Sequence, residues 1–264
     1  MTTQRADDIE TRIDATGIAT VTIDRAAKRN ALSLAMWRRL GVVFAEFGRR
    51  SDVRVIVLTG AGGHFCAGAD ISEFATVRNT IEAGHIYEAA TEKSLLAIRD
   101  CRKPTIAAVS GFGLGGGCGV ALACDLRVGD ATTRMGIPAA RLGNVYGTLE
   151  CDLLLRQVGL ANAKLVLYAG TQFDSAACLR MRLVDQVSEG AALAGAQALA
   201  AQLADNAPIS LKGAKILLDA LERNETVKRK AEIAAVIDEA LASEDYRDAA
   251  RAFVAKRKPA FNGR

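Results

Sequence analysis

Aromatic residues are scarce in this chain of 264 residues: they make up 5% of it, with a single Trp, Trp37. Stacking platforms for nucleic-acid bases need more. The charge balance points the same way. The net charge is only +4 and the pI is near 8.8. Much of that charge comes from Lys256-Arg257-Lys258 and Arg264, a short cluster of the kind that forms a solvated face. No nucleic-acid partner is expected. No apolar run approaches the length of a membrane span, so no membrane partner is expected. The first ten residues are polar and acidic, without the apolar region of a secretory signal. The six Cys (Cys66, Cys101, Cys118, Cys124, Cys151 and Cys178) form no C-x-x-C pair and have no His cluster beside them, which excludes the usual zinc patterns. Several lie in apolar runs, where Cys acts as a small buried hydrophobe. A cytoplasmic protein with reduced thiols and no metal is the simplest account. No internal repeat is visible.

Half the residues are hydrophobic, enough for one large core. Residues 18–24 are β-branched and alternate, which predicts a strand. Ser33 is placed to cap a helix whose Leu34, Trp37, Leu40, Phe44 and Phe47 share one face. Residues 53–59, 105–109 and 126–129 read as buried strands. Residues 70–99 read as polar, irregular helix, the kind of segment in which substrate loops vary. His85 and Tyr87 lie there and read as surface or edge packing. Pro104 stops that helix. Residues 133–147 carry Pro and Gly and predict a loop at the edge of a pocket. Helices follow over 149–158 and 161–169, with Asp174 as the cap of another. A return to the sheet is expected at 183–187, then helices from Ala191 onward, broken near Pro208 and at 223–225. Strands mixed with helices, then helices alone, predict an α/β (α+β) core with a helical C-terminal region.

The strand over 105–109 runs into Val109-Ser110-Gly111-Phe112-Gly113-Leu114-Gly115-Gly116-Gly117-Cys118-Gly119, and then into a short small-residue helix. Glycine at a strand-to-helix turn lets backbone approach a ligand and turns free N–H groups outward. The helix N-terminus adds partial positive charge, so the turn suits a phosphate, a carboxylate or a developing oxyanion. Gly111, Gly113 and Gly116 also satisfy G-x-G-x-x-G, with Asp130 about 20 residues on, as a dinucleotide site would have. Against that, the helix is short and the turn lies deep in the chain. A second turn decides between them. The strand over 53–59 ends in Gly60-Ala61-Gly62-Gly63-His64-Phe65-Cys66-Ala67-Gly68-Ala69-Asp70. Two such turns can each offer one N–H to a single oxygen.

"LTGAGGHFCAGADI", "KPTIAAVSGFGLGGGC" and "ALACDLRV", in this order and spacing, resemble the crotonase (enoyl-CoA hydratase/isomerase) superfamily. The resemblance runs from "RAAKRNAL" at 25–32 to the basic C-terminus. It implies a crotonase/ClpP-like ββα spiral core over residues 1–200 that binds acyl-CoA. It also implies a helical region over 201–264 for oligomer contacts and CoA enclosure. Homotrimers, or hexamers made from two trimers, are the expected assemblies. The implied chemistry passes through an enolate or tetrahedral oxyanion of an acyl-CoA thioester. Its oxygen would be held by the N–H groups of Ala69 and Gly116. Coenzyme A enters as part of the substrate, and no separate cofactor is expected. For CoA the resemblance points to Lys28 and Arg29, to the backbone of Ala67, Ala69, Asp70 and Ile71, and to Lys258 and Phe261. His64 reads as support for the loop near CoA, with phosphate contact if protonated.

The chain departs from the hydratases at both catalytic glutamates. Gly119 stands directly after "GGGC", and Ala139 follows Pro138. Neither can move a proton, so hydration by the two-Glu mechanism is not expected. Arg141, Asn144, Tyr146, Glu150 and Asp152 remain nearby. Tyr146 matches a Tyr of methylmalonyl-CoA decarboxylases in this superfamily, and a decarboxylase-like lyase is the preferred expectation. A hydratase or isomerase that uses Glu150 stays open, with Glu150 alternatively an ordinary first-turn residue favoured by the helix dipole. So does a non-catalytic acyl-CoA-binding homologue.

Overall fold

A computed structural model describes residues 2–6 and 8–264 of the chain. Strands β1 (Thr2–Ala6), β2 (Ile9–Ile13) and β3 (Ile18–Ile23) form an antiparallel meander. Helix α1 (Leu34–Phe47) follows, with Ser33 Oγ accepting from the Met36 N–H at 3.2 Å. A cap of this kind is worth about 1 kcal/mol. Trp37, Leu40, Phe44 and Phe47 are buried on its inner face together with Met36 and Val43. Strand β4 (Val55–Gly60) then pairs parallel to β3. Two short elements, a 3-10 turn and α2 (Phe74–Val77), lead to the long helix α3 (Ile81–Arg99). Strand β5 (Thr105–Val109) is buried throughout, as its apolar run predicts.

Here the structure adds what the sequence pattern lacked. A three-residue strand, β6 (Phe112–Leu114), stands between β5 and helix α4 (Gly116–Ala123), so the glycine stretch is strand–turn–strand–helix. Strand β7 (Leu126–Gly129) falls where expected. Residues 133–147 are not all loop: they contain β8 (Arg134–Gly136) and a 3-10 turn over Ala139–Leu142. Short strands of this kind lack the length to show a period of two. Next come α5 (Thr148–Ala169), bent at Gly159, β9 (Phe173–Asp174) and α6 (Ser175–Met181), capped by Asp174 as predicted. Strand β10 (Gln186–Val187) returns to the sheet. Helices α7 (Ala192–Ala204), α8 (Pro208–Glu222), α9 (Lys230–Ala242) and α10 (Glu244–Val254) complete the chain. Pro208 opens α8 at its first turn, where its missing N–H costs nothing.

The large sheet has the order β1-β2-β3-β4-β5-β7-β10, and every pair from β3 onward is parallel. A smaller sheet has the order β6-β8-β9. The bridge between Cys66 and Gly113 extends it towards the loop after β4. Each turn of the chain thus gives one strand to the large sheet and one short stretch to the small one: β4 with Cys66, β5 with β6, β7 with β8. This is the ββα spiral, present in three dimensions without any repeat in the sequence. The main core lies between the sheets and helices α1, α3, α4 and α5. On the opposite face of the large sheet, Ala192, Ala196, Ala200 and Ala204 seat α7 against Val55, Val57, Ile106 and Val128. A division at residues 200/201 would cut this helix. Among the described residues no helix is long and apolar enough to cross a membrane.

Candidate active site

The two glycine-rich loops meet. Leu32 pairs with the backbone around Ala69: its N–H donates to Gly68 O and its carbonyl accepts from the Asp70 N–H. Alternation along that short stretch turns the Ala69 N–H the other way. Gly116 is the first residue of α4, so its N–H has no intrahelical acceptor. Neither N–H reaches a protein acceptor among the described residues. A Cβ built on Gly116 would lie 3.7 Å from the Ala69 nitrogen and 2.9 Å from Trp37 Cζ2. The indole therefore backs the turn and holds it in place.

Both loops are pinned from behind. The buried Asn30 side chain donates to Ala61 O at 2.8 Å and to His64 O at 2.5 Å. His64 stacks on Phe112 with ring centroids 4.5 Å apart, and its Nδ1 accepts from the Phe112 N–H at 3.2 Å. That nitrogen is thereby used inside the fold, as loop support requires. Gly68 takes φ +98 and Gly115 φ +54, backbone that L side chains rarely adopt.

The loops floor a cavity of about 440 Å³. Ala67, Ala69, Ile71, Gly116, Ala139, Asn144, Tyr146 and Glu150 all line it. Tyr146 Oη lies 3.4 Å from where a Cβ on Gly115 would be. Burial raises the Tyr146 phenol well above its ordinary pKa, with smaller contributions from Cys118 and Glu150, so it is a neutral donor. Glu150 comes from the first turn of α5. Its Cγ lies 4.0 Å from the position of a Cβ on Gly119. The Glu150 methylene and the Leu95 methyls border the space beside Gly119, while the Glu150 carboxyl lies towards Gly147, its Oε2 2.6 Å from where a Cβ on that glycine would be. Burial first, then the charges of Glu92 and Glu88, push the Glu150 carboxyl above the usual range. Among the described residues no cation pairs with it.

Residues the sequence did not assign to the site also line it, among them Trp37, Phe74, Arg78, Glu88, Thr91 and Leu95. Tyr87, read as edge packing, lines it as well, and its Oη accepts from Trp37 Nε1 at 3.0 Å. The steps from Tyr87 to Thr91 to Leu95 are each four residues, one face of α3, and that spacing was the available signal.

Other expected residues stand elsewhere. Lys28 Nζ donates to Asp70 Oδ2 at 2.8 Å, and Arg25 Nη1 donates to the same oxygen at 2.7 Å. These side chains lock the loop, leaving the backbone as what this segment offers a ligand. Arg29 lies 5.4 Å over the Phe112 ring. Asp152 pairs with Arg156, facing a different groove, and Arg141 lies outside the cavity lining. Asp130 accepts from Ser110, Thr132 and the Ala192 N–H, so its carboxylate is committed within the fold and not free for a ribose. Lys258 pairs with Asp205 at 2.7 Å, and Phe261 O accepts from Arg54. Arg54 directly precedes β4, whose far end leads into the cavity loop. Within one chain Lys258 and Phe261 are therefore a strand length, about 17 Å, from the cavity end. The tail is held there because Asp245 accepts from the N–H groups of Asn262 and Gly263.

Two N–H groups without a protein acceptor among the described residues thus lie beneath one cavity, carried on a ββα spiral. The comparisons give the family. The enoyl-CoA hydratase/isomerase model matches residues 14–264. The chain is 35% identical to the short-chain-enoyl-CoA hydratase of Clostridium acetobutylicum, over 91% of this chain and 92% of that protein. It superposes on an enoyl-CoA hydratase/isomerase family protein from Hyphomonas neptunium with TM-score 0.91 and 33% identity, covering 97% and 98% of the two chains. An enoyl-CoA hydratase/carnithine racemase from Magnetospirillum magneticum gives TM-score 0.91 and 34% identity, covering 99% and 97%. The chain belongs to the enoyl-CoA hydratase/isomerase family, the crotonase superfamily.

Proposed function

We propose that the protein is an acyl-CoA-transforming enzyme in which an enolate forms at the thioester, its oxygen held by the Ala69 and Gly116 N–H groups, with Glu150 moving the proton. The family and the hydratases named above support an acyl-CoA substrate. Charge grows on the thioester oxygen as the enolate forms, so fixed donors favour the transition state over bound substrate. Each is worth about 3 kcal/mol.

The observation that supports the reading is the Glu150 side chain in the cavity wall, its methylene beside Gly119 and its carboxyl towards Gly147. Loss of both hydratase glutamates argued for chemistry without a carboxyl. Glu150 of α5, half-buried and with no cation paired to it among the described residues, lines the same cavity and supports chemistry with one. A single carboxyl that takes a proton from one carbon and returns it to another performs double-bond isomerisation. The enolate electrons return to carbon as that proton is delivered. Hydration needs a second proton-handling group, and the neutral Tyr146 phenol is the one at hand. The backbone at 67–71 and the loop at 25–29 are the proposed CoA cradle. Lys258 and Phe261 would meet CoA only from a neighbouring subunit of the trimer or hexamer.

A second reading rests on Tyr146 beside Gly115: decarboxylation of a malonyl-type thioester, its carboxylate held by the phenol. Glu150 lines the same cavity without a cation partner among the described residues and opposes an added carboxylate beside Tyr146. Mass-spectrometric turnover of 2- and 3-enoyl-CoAs, methylmalonyl-CoA and ethylmalonyl-CoA separates the readings. Enoyl-CoA conversion that falls about 100-fold or more in Glu150→Gln and survives in Tyr146→Phe is the expected result. Loss of CO2 from the malonyl-type esters, abolished in Tyr146→Phe and untouched in Glu150→Gln, would replace it. Binding of CoA esters without turnover of any of them would leave a non-catalytic homologue.

A further inference from the structure

The cavity extends past the N–H pair along a chain of contacts: Gly116 rests on Trp37, Trp37 donates to Tyr87, and Arg78 lies over Tyr87. Among the described residues, Arg78 is the only cation that lines the cavity. Its guanidinium carbon is 4.8 Å from the Phe74 ring centroid and 5.2 Å from that of Tyr87. The two rings meet edge to face, with centroids 5.8 Å apart. Aromatic faces fix a guanidinium without using up its N–H donors, which lie in the guanidinium's own plane. One of those donors reaches Glu88 Oε1 at 3.1 Å.

The two partners differ in exposure. The Arg78 side chain is 19% exposed, that of Glu88 60%. An ion pair whose acid is mostly in water contributes little and is readily exchanged. A guanidinium held against two aromatic rings, with a displaceable, mostly exposed acid beside it, is what a second carboxylate would select.

We propose that Arg78 is the specificity residue for the far end of the acyl group, and that the substrate class is a short acyl-CoA whose distal end carries a carboxylate. The proposal rests on the acyl-CoA reading above. The distal carboxylate displaces Glu88 and takes the planar, two-bonded geometry that guanidinium offers. In this arrangement the distal carboxylate meets Arg78, and the carbon beside the thioester meets Tyr146 and Glu150. A substrate with an acid at its tail and none beside the thioester meets a cation at one end and a proton-handling carboxyl at the other.

Binding tests this without depending on the reaction. Glutaryl-CoA and valeryl-CoA match in chain length, and both are saturated. Their dissociation constants would be measured by titration calorimetry for the wild type, Arg78→Gln, Glu88→Gln and Glu150→Gln. The wild type is expected to favour glutaryl-CoA about tenfold or more. Arg78→Gln should remove that preference while leaving valeryl-CoA binding within about threefold. Glu88→Gln should strengthen glutaryl-CoA binding, because the competing acid is gone. If the Arg78–Glu88 pair merely fastens α2 to α3, both variants weaken both esters alike, and the proposal fails. Equal or better binding of valeryl-CoA by the wild type also overturns it. Failure of both esters to bind overturns the acyl-CoA reading itself. Loss of turnover in Glu150→Gln with the binding preference intact separates the two claims.

Discussion

Replacing Gly68 by Ala puts one methyl group against the 114–116 turn that carries the proposed Gly116 donor. A Cβ there would lie 2.7 Å from Leu114 O and 3.2 Å from the Gly116 nitrogen. Both are backbone atoms, so the turn itself must shift, and the Gly116 N–H shifts with it. Two costs result. Holding alanine at φ +98 costs about 1–3 kcal/mol of stability. Displacing one oxyanion donor costs about 3 kcal/mol in the transition state, roughly 100- to 1,000-fold in kcat. Gly63→Ala separates them. Gly63 also has positive φ, +81, but a Cβ there meets nothing within 4 Å. Both variants should therefore melt lower, by about 2–4 °C for each kcal/mol lost. Only Gly68→Ala should lose turnover. The assay is steady-state conversion of the best CoA ester, with melting followed by circular dichroism. Turnover in Gly68→Ala within tenfold of that in Gly63→Ala, at similar melting loss, would refute the assignment of Gly116 as an oxygen-binding donor.

Two further outcomes follow from the charged groups. Burial alone would raise the Asp70 carboxyl, but hydrogen bonds from Lys28, Ser72 and Arg25 outweigh it and hold it well below the carboxylate range. A lowered pKa stabilises above the unfolded value of about 3.9 and stops doing so as pH falls through the folded value. Asp70→Asn should thus cost about 1–3 kcal/mol at pH 7, with the gap in melting temperature closing below pH ~4; a gap constant from pH 7 to 2 would contradict it. Glu150 is shifted the other way, by burial and then by Glu92 and Glu88. If its carboxylate is the base, the rate rises as it ionises, on a limb above the ordinary value of about 4.3. Glu92→Gln should move that limb to lower pH, and an unmoved limb would remove Glu150 from that role.

Much of the architecture was legible because local chemistry dictates it. Ser33 and Asp174 cap the helices they precede, and the apolar run at 105–109 is a fully buried strand. The N-terminal hairpin of β1 and β2 was missed: the first ten residues read only as polar and acidic. Ile9, Thr11 and Ile13 alternate, but only pairing across the meander settles them as strand. Strands β6 and β8 were missed for a similar reason. Each has three residues, and their order comes from neighbours far away in the chain. The glycine-rich turns suggested two N–H donors, and the resemblance to the crotonase superfamily named them as those of Ala69 and Gly116. Glu150 was left between two roles, because no spacing rule relates the first turn of α5 to Gly119.

By itself the sequence determined the buried strands, the capped helices, the two glycine loops and the absence of side chains able to move protons at Gly119 and Ala139. These follow from backbone freedom and residue chemistry, which are local. The tertiary structure alone decided that Glu150 lines the cavity with its methylene beside Gly119, that Arg78 lies over Phe74 and Tyr87, and that Lys258 and Phe261 end at the opposite end of β4. Each depends on the packing of segments tens to hundreds of residues apart, set by the shared burial of their apolar faces. No periodicity within any one of those segments records that distance.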